Sequence, residues 1–218
     1  MKENPCRAAL VIIDMENGFV LPGSGNCIKG AYATIPKCAA AARAARKKGI
    51  PVFFVKRVYR TDGSDVELTR YKSWKDVGRT CTPGSSGVNS QEFVEGLGPQ
   101  PGDYTIIKPR WSAFFGTELD LVLRRLDIRT VVIAGATTPN CIRTTCYDAL
   151  ALEYMAVVLT DCTSSNTDEI QRSNLEDMER VGAVLMDEKT FEDFSPETLE
   201  DVSQNIRMQM MKEDIIPE

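Results

Sequence analysis

The most informative absence in this 218-residue chain is histidine, which occurs nowhere in the sequence. Without an imidazole, the chain cannot build a Ser-His-Asp or Cys-His catalytic arrangement, or a metal site ligated by histidine. The seven cysteines include no C-x-x-C pair, so neither a zinc knuckle nor a thioredoxin-type redox motif is indicated. Catalytic chemistry would have to come from carboxylates, lysines and thiols.

Long apolar runs and basic clusters are also missing. No stretch has the length and apolar character of a signal peptide or membrane span, so we expect a cytoplasmic protein with no membrane partner. The net charge is −5 and no segment carries a basic stripe, so nucleic acid is not an expected partner. The length suits one domain over residues 1–218, without internal repeats.

What the chain does contain is a series of short apolar runs separated by helical patterns. Runs of this kind are typical of parallel strands covered on both faces. We predict a three-layer, Rossmann-like α/β fold with a mostly parallel six-stranded sheet in the order 3-2-1-4-5-6. The predicted strands lie at residues 8–13, 52–55, 104–107, 131–134, 155–159 and 183–186.

Two segments depart from this alternation. Residues 56–103 are rich in glycine, proline, serine and charge, with one helical candidate at 91–97, and we expect a lid or insertion loop there. Residues 191–218 are predicted to form a helix and a charged tail. We expect one or two cationic or aromatic side chains of the first segment to line a pocket, from the set Arg57, Tyr59, Arg60, Tyr71, Trp74 and Arg79.

Three chemically capable side chains follow predicted strands. Asp14 ends the first strand, Lys108 ends the third, and Cys141 follows the fourth. In the predicted strand order the first and fourth strands are neighbours at the topological switch point, where open α/β sheets place their sites. We therefore expect Asp14 and Cys141 to lie close together, with Lys108 reaching inward; the alternative for Asp14 is a cap of the following loop.

Cys141 is the candidate nucleophile. We predict a helix over residues 139–152, with Thr138 as its N-cap and Pro139 as its first residue. Cys141 then lies in the first turn, where unpaired backbone N–H groups and the helix dipole favour a thiolate. A neighbouring Lys108 ammonium would act in the same direction. We expect a lowered pKa at Cys141.

Three ordered motifs resemble the isochorismatase-like cysteine hydrolases over about residues 8–186: ALVIIDMENGF, IIKPRWSAFFGT and VVIAGATTPNC, followed by DALALEYMAVVLTDC. The resemblance implies a catalytic triad of Asp14, Lys108 and Cys141. It also implies a cis peptide bond between Ala136 and Thr137, and an oxyanion held by backbone N–H groups of Thr137 and Cys141.

Arg110, Trp111 and Phe114 are expected to line the substrate pocket because they follow Lys108 closely in the sequence, and Phe19 is a further expected substrate-binding residue. No cofactor is implied, and a metal site of the nicotinamidase kind, built from Asp and His, is disfavoured because histidine is absent. The expected partners are a small-molecule substrate and further copies of the chain, as a dimer or tetramer.

The implied reaction is hydrolysis of a C–N bond in a small amide, ureido or carbamoyl compound through a thiolate nucleophile. One alternative is an isochorismatase-type vinyl-ether hydrolase, whose reaction needs no thiol. Another is a small-molecule binder of the same fold without catalysis. The sequence departs from the family where Glu16-Asn17-Gly18 replaces the usual Gln-Asn-Asp after the first aspartate.

Overall fold

The computed structural model of the protein describes residues 7–85, 89–195 and 202–216. One six-stranded sheet runs through it in the order β3-β2-β1-β4-β5-β6, and each neighbouring pair is parallel. This confirms the predicted fold class and strand order. The strands are β1 (Ala8–Ile13), β2 (Val52–Arg57), β3 (Tyr104–Lys108), β4 (Thr130–Ala136), β5 (Met155–Ser164) and β6 (Val184–Met186).

Helices cover both faces of this sheet. Successive residues of β1 point to opposite faces, so Leu10 and Ile12 belong to one buried apolar cluster and Val11 and Ile13 to a second. Because every residue of β1 is fully buried, the strand is one continuous apolar run. The helices are α1 (Asn17–Val20), α2 (Ala31–Lys48), α3 (Tyr71–Asp76), α4 (Leu119–Arg125), α5 (Arg143–Ala151), α6 (Asp168–Arg180), α7 (Glu188–Glu192) and α8 (Val202–Lys212).

Strands β4 and β5 both extend further than their apolar runs predict. β4 continues through Gly135 to Ala136, and β5 runs to Ser164. The register between them shifts, so that Ile133 is opposite Val158 whereas Gly135 is opposite Thr163. The added part of β5 is polar, which is why hydrophobic patterning misses it. This extension carries Ser164 to the loop that precedes Cys141.

The helical candidate at 91–97 is wrong. That segment consists of turns and a bridge between Phe93 and Glu16, and several of its backbone groups bond to the connection after β1. The N–H of Val94 donates to the carbonyl of Met15, and Asn17 donates to the carbonyl of Glu92. These bonds hold the described part of segment 56–103 against the carboxyl end of β1.

Near the C-terminus, α7 contains Phe191, and α8 supplies the predicted helix. The parts of the predicted tail at 196–201 and 217–218 lie outside the described residues. Across the described ranges, no helix combines the length and the apolar character needed to cross a membrane.

Candidate active site

The side chains of Asp14, Lys108 and Cys141 meet at the carboxyl edge of the sheet. The Nζ atom of Lys108 lies 2.8 Å from Oδ2 of Asp14 and 3.5 Å from Sγ of Cys141. It also donates to the carbonyl of Arg110 at 3.0 Å, so the ammonium contacts three groups. The lysine is fully buried and Asp14 is 1% exposed. An ammonium therefore links a carboxylate and a thiol in a protected site.

The sheet topology explains this meeting. Asp14 follows β1 with a left-handed φ of 53°, and its N–H donates to the carbonyl of Val55 on β2 at 2.8 Å. Lys108 is the last residue of β3, on the far side of β2 from β1. Its four-carbon side chain spans the intervening strand. Lys108 therefore reaches inward from the third strand, as the strand order predicted.

The prediction that Cys141 lies in the first turn of a regular α-helix is wrong. Residues Thr138–Ile142 form a wide π-helical turn that leads into α5. The hydroxyls of Thr137 and Thr138 both donate to the carbonyl of Ser164 at 3.0 Å, which ties the turn to the extended end of β5. The peptide bond between Ala136 and Thr137 is cis.

The expected lowering of the Cys141 pKa is wrong. Burial and the neighbouring Asp14 carboxylate raise the pKa of the thiol to about 11, and the opposing effects of Lys108 and Arg57 do not outweigh them. Cys141 is 7% exposed, so little water stabilises the anion of its thiol. At neutral pH the proton remains on the sulfur, and a base is needed to remove it.

This pKa predicts a pH profile for alkylation. Because iodoacetamide reacts with the thiolate, the labelling rate of Cys141 should rise about tenfold per pH unit from pH 7 and level off near pH 11. Peptide mapping by mass spectrometry over time would measure the rate. Buried Cys146, whose pKa is raised to about 12 by burial, should stay unlabelled and serves as the internal control. A plateau reached near pH 7 would show a resting thiolate.

A cavity of about 150 Å³ opens above Cys141. Asp14 and Cys141 line it together with Ala136 and Thr137, the two residues of the cis peptide. Two guanidinium side chains and several amides complete the wall. The lining residues are Asp14, Phe19, Asn26, Ile28, Arg57, Arg70, Trp111, Ala136, Thr137, Asn140, Cys141 and Asn166.

The four side chains expected to form the pocket divide into two pairs. Phe19 and Trp111 line the cavity, but Arg110 and Phe114 do not. The guanidinium of Arg110 donates to the carbonyls of Asp65 and Pro109. Phe114 is buried in the core and its ring stacks on Tyr154 at 5.9 Å. Proximity to Lys108 in sequence did not decide where these side chains point.

Sequence reasoning did not single out Glu16 as a site residue. It is fully buried next to the site, and Oε2 accepts the N–H of Arg57 at 2.8 Å. Burial and Asp14 raise the pKa of Glu16 well above its usual range. The available signal was its position two residues after Asp14, where it appeared only as a departure from the family pattern. Because its carboxyl oxygen accepts the Arg57 N–H, Glu16 fixes the backbone at the end of β2.

Arg57 came from the expected set in segment 56–103. Its side chain is 1% exposed, and Nη1 donates to Oε1 of Glu67 at 2.6 Å and to the hydroxyl of Tyr59 at 2.8 Å. Tyr59 in turn donates to Oε2 of Glu67 at 2.7 Å. The guanidinium carbon lies 5.8 Å from the ring centre of Trp111. The side chains of Glu67, Tyr59 and Trp111 thus hold this cation at the cavity wall.

The described residues contain no group of three or more Cys, Asp or Glu side chains that could hold a metal ion. The cavity is lined by Arg57 and Arg70, whose charges would repel a cation.

Comparison with known proteins agrees with the geometry of the fold. The isochorismatase domain family matches residues 8–190, so the chain belongs to the isochorismatase family. A solved isochorismatase family protein from Desulfovibrio vulgaris superposes with a TM-score of 0.80 at 41% identity, covering 86% of this chain and 97% of that one.

Two curated relatives show how the family varies. A protein of Arabidopsis thaliana named "probable inactive nicotinamidase" is 39% identical over 184 residues, covering 84% of this chain and 93% of its own length. The ureidoacrylate amidohydrolase of Azorhizobium caulinodans is 31% identical over 170 residues, covering 71% and 75%.

Proposed function

We propose that this protein hydrolyses a C–N bond of a small amide, ureido or carbamoyl compound, with Cys141 as nucleophile. The observation that carries the proposal is the contact of one ammonium, Lys108 Nζ, with both the Asp14 carboxylate and the Cys141 thiol. The name of the Azorhizobium relative, an amidohydrolase, supports the same bond class.

In the first step Sγ of Cys141 attacks the substrate carbonyl while Asp14 takes the thiol proton. Burial keeps the free thiol protonated, so removal of the proton and formation of the S–C bond occur together. Lys108 stays charged throughout. It stabilises the Asp14 carboxylate before the proton is transferred, and the Cys141 sulfur as that proton leaves. The N–H groups of Thr137 and Cys141 would hold the oxyanion, which elsewhere contributes about 2.7–4 kcal/mol per donor.

The tetrahedral adduct then collapses and the C–N bond breaks. Asp14 returns the proton to the departing nitrogen, which leaves as ammonia or an amine, and a thioester remains on Cys141. Asp14 next removes a proton from water, whose oxygen attacks the thioester carbonyl. The S–C bond breaks, Cys141 regains a proton, and the acid product leaves. One water is consumed for each C–N bond.

Two alternatives predict different products. A vinyl-ether hydrolase would release pyruvate from isochorismate, and a binder would release nothing. The Arabidopsis relative is named a probable inactive nicotinamidase. A binder without catalysis must therefore be tested beside the two enzymes.

A substrate panel distinguishes these functions. We expect ammonia release from at least one amide, ureido acid or carbamoyl compound, with a mass increase on Cys141 when the reaction is quenched in the steady state. Ammonia can be measured by a coupled assay and the adduct by intact-mass spectrometry. Release of pyruvate from isochorismate, without release of ammonia from any panel compound, would overturn the proposal. Tight binding of a panel compound without turnover of the panel or of isochorismate would also overturn it.

A further inference from the structure

One edge of the buried Arg57 guanidinium has no partner. Nη1 is engaged by Glu67 and Tyr59, but Nε and Nη2 make no hydrogen bond to any of the described residues. The side chain is 1% exposed and lies in the wall of the cavity that contains Cys141. Buried donors in folded proteins normally have an acceptor, so an unpaired pair at a cavity wall indicates a ligand.

The geometry of the free edge defines the chemistry of that ligand. Nε–H and one Nη2–H lie side by side in the guanidinium plane along this edge, and together they match the two oxygens of a carboxylate. Glu67 and Tyr59 occupy the opposite end and prevent the group from turning. Trp111 lies over the guanidinium, with its ring centre 5.8 Å from the central carbon. The fork is therefore held in place before a ligand arrives.

Charge around the cavity favours an anion. Arg70, which is half-buried, provides a second guanidinium in the wall. The carboxylate of Asp14 is already neutralised by Lys108 at 2.8 Å. Glu67 neutralises only part of the charge carried by the two arginines. Glu16 is buried beside the site, and burial and Asp14 raise its pKa well above its usual range, which favours its neutral form. A carboxylate entering this cavity would therefore find an excess of positive charge.

The size of the cavity limits the rest of the molecule. About 150 Å³ is below the range of roughly 300–1,000 Å³ that is usual for drug-sized ligands. A substrate that reaches from Arg57 to Cys141 must therefore be short, with a carboxylate separated by only a few atoms from the carbonyl that is attacked.

We propose that Arg57 is the specificity-determining residue of the site and that its Nε–Nη2 edge binds the carboxylate of a small amido or ureido acid. This proposal rests on the proposed function only for the identity of the scissile group. Neutral amides of the same size lack the two oxygens that the fork requires and are poor ligands.

Binding without turnover tests the proposal first. In the Cys141→Ala variant, calorimetry should show that N-carbamoylglycine binds about 10- to 100-fold more tightly than its methyl ester, since an ester cannot accept a charge-assisted pair of bonds. Arg57→Lys in the same background keeps a cation beside Glu67 but loses the fork, and it should remove most of this preference. Equal affinity for the acid and the ester, or no binding of either, would overturn the proposal.

A matched control is available in Arg46, whose Nε and Nη2 edge already binds Asp103 outside this cavity. Arg46→Lys should leave the preference for the acid unchanged. The comparison of acid with ester needs no Arg57 variant, so it remains decisive if Arg57→Lys does not fold. Loss of the preference in Arg46→Lys as well would refute a specific role for Arg57.

Ammonia release by the unmodified protein separates this inference from the proposed function. Tight, Arg57-dependent binding of N-carbamoylglycine without hydrolysis of any panel compound would overturn the hydrolase and support the carboxylate site. The opposite result is also possible. If the unmodified protein and Arg57→Lys both hydrolyse neutral amides as fast as amido or ureido acids, the hydrolase is supported and the carboxylate site is overturned.

Discussion

Replacing Cys141 by alanine is expected to reduce turnover of any hydrolysed substrate by about 10⁴-fold or more, because removal of a catalytic nucleophile has effects of this order in other hydrolases. Among the described cysteines only Cys141 lines the cavity, and Cys146, five residues further along the chain on α5, is fully buried in the core. The free energy of unfolding should change by only about 1 kcal/mol, a common effect of a single substitution. Initial rates and urea unfolding would measure the two quantities.

Cys146→Ala is the matched control for this variant. Both changes remove one buried sulfur from the same helical region, but Cys146 does not line the cavity. We expect Cys146→Ala to keep its rate within about twofold while losing about 1 kcal/mol of stability. If Cys141→Ala retains a rate within tenfold of the unmodified protein, the thiol mechanism is incorrect.

Gly135→Ala is expected to prevent stable folding. A Cβ atom at this position would lie 2.0 Å from the carbonyl oxygen of Ile13 and 2.7 Å from its nitrogen. Both contacts are to backbone in the centre of the sheet, where β1 and β4 pair and neither strand can move aside. The φ of 111° adds strain for a residue with a side chain. Overpacking and strain together should cost about 4 kcal/mol or more, against a total of about 5–15 kcal/mol.

The control for this prediction is Gly182→Ala. Gly182 has a φ of 108°, close to that of Gly135, but a Cβ atom there meets nothing within 4 Å. Its substitution should therefore cost only the backbone strain, about 1–3 kcal/mol. Urea unfolding followed by circular dichroism would compare the two variants. Equal destabilisation of both would show that close approach of β4 to β1 does not matter.

The sheet could be predicted because each strand can be recognised from its own residues. Each strand core is a short apolar run bounded by a polar residue or a glycine, and parallel strands with right-handed crossovers permit few orders. The ends of β1 and β3 are marked by Asp14 and Lys108, charged residues that stop an apolar run. Their convergence with Cys141 follows from the strand order, and the structure places the three side chains in contact.

The errors arose where neighbours in space, distant in sequence, decide the outcome. The polar end of β5 is a strand because β4 offers it a partner, and residues around Phe93 form turns because Met15 and Asn17 take their backbone bonds. Phe114 enters the core because the preceding Ala113 N–H bonds to Thr145 on α5. None of these partners is near in sequence.

By itself the sequence determined the family, the strand order and the identity of the three groups that meet, because apolar patterning and the absence of histidine are properties of the chain alone. The tertiary structure alone decided the direction of the Cys141 pKa shift and the partners of Arg57. A pKa depends on how much water burial removes and on which charges surround the thiol, and a free guanidinium edge is defined by partners brought from Tyr59 and Glu67.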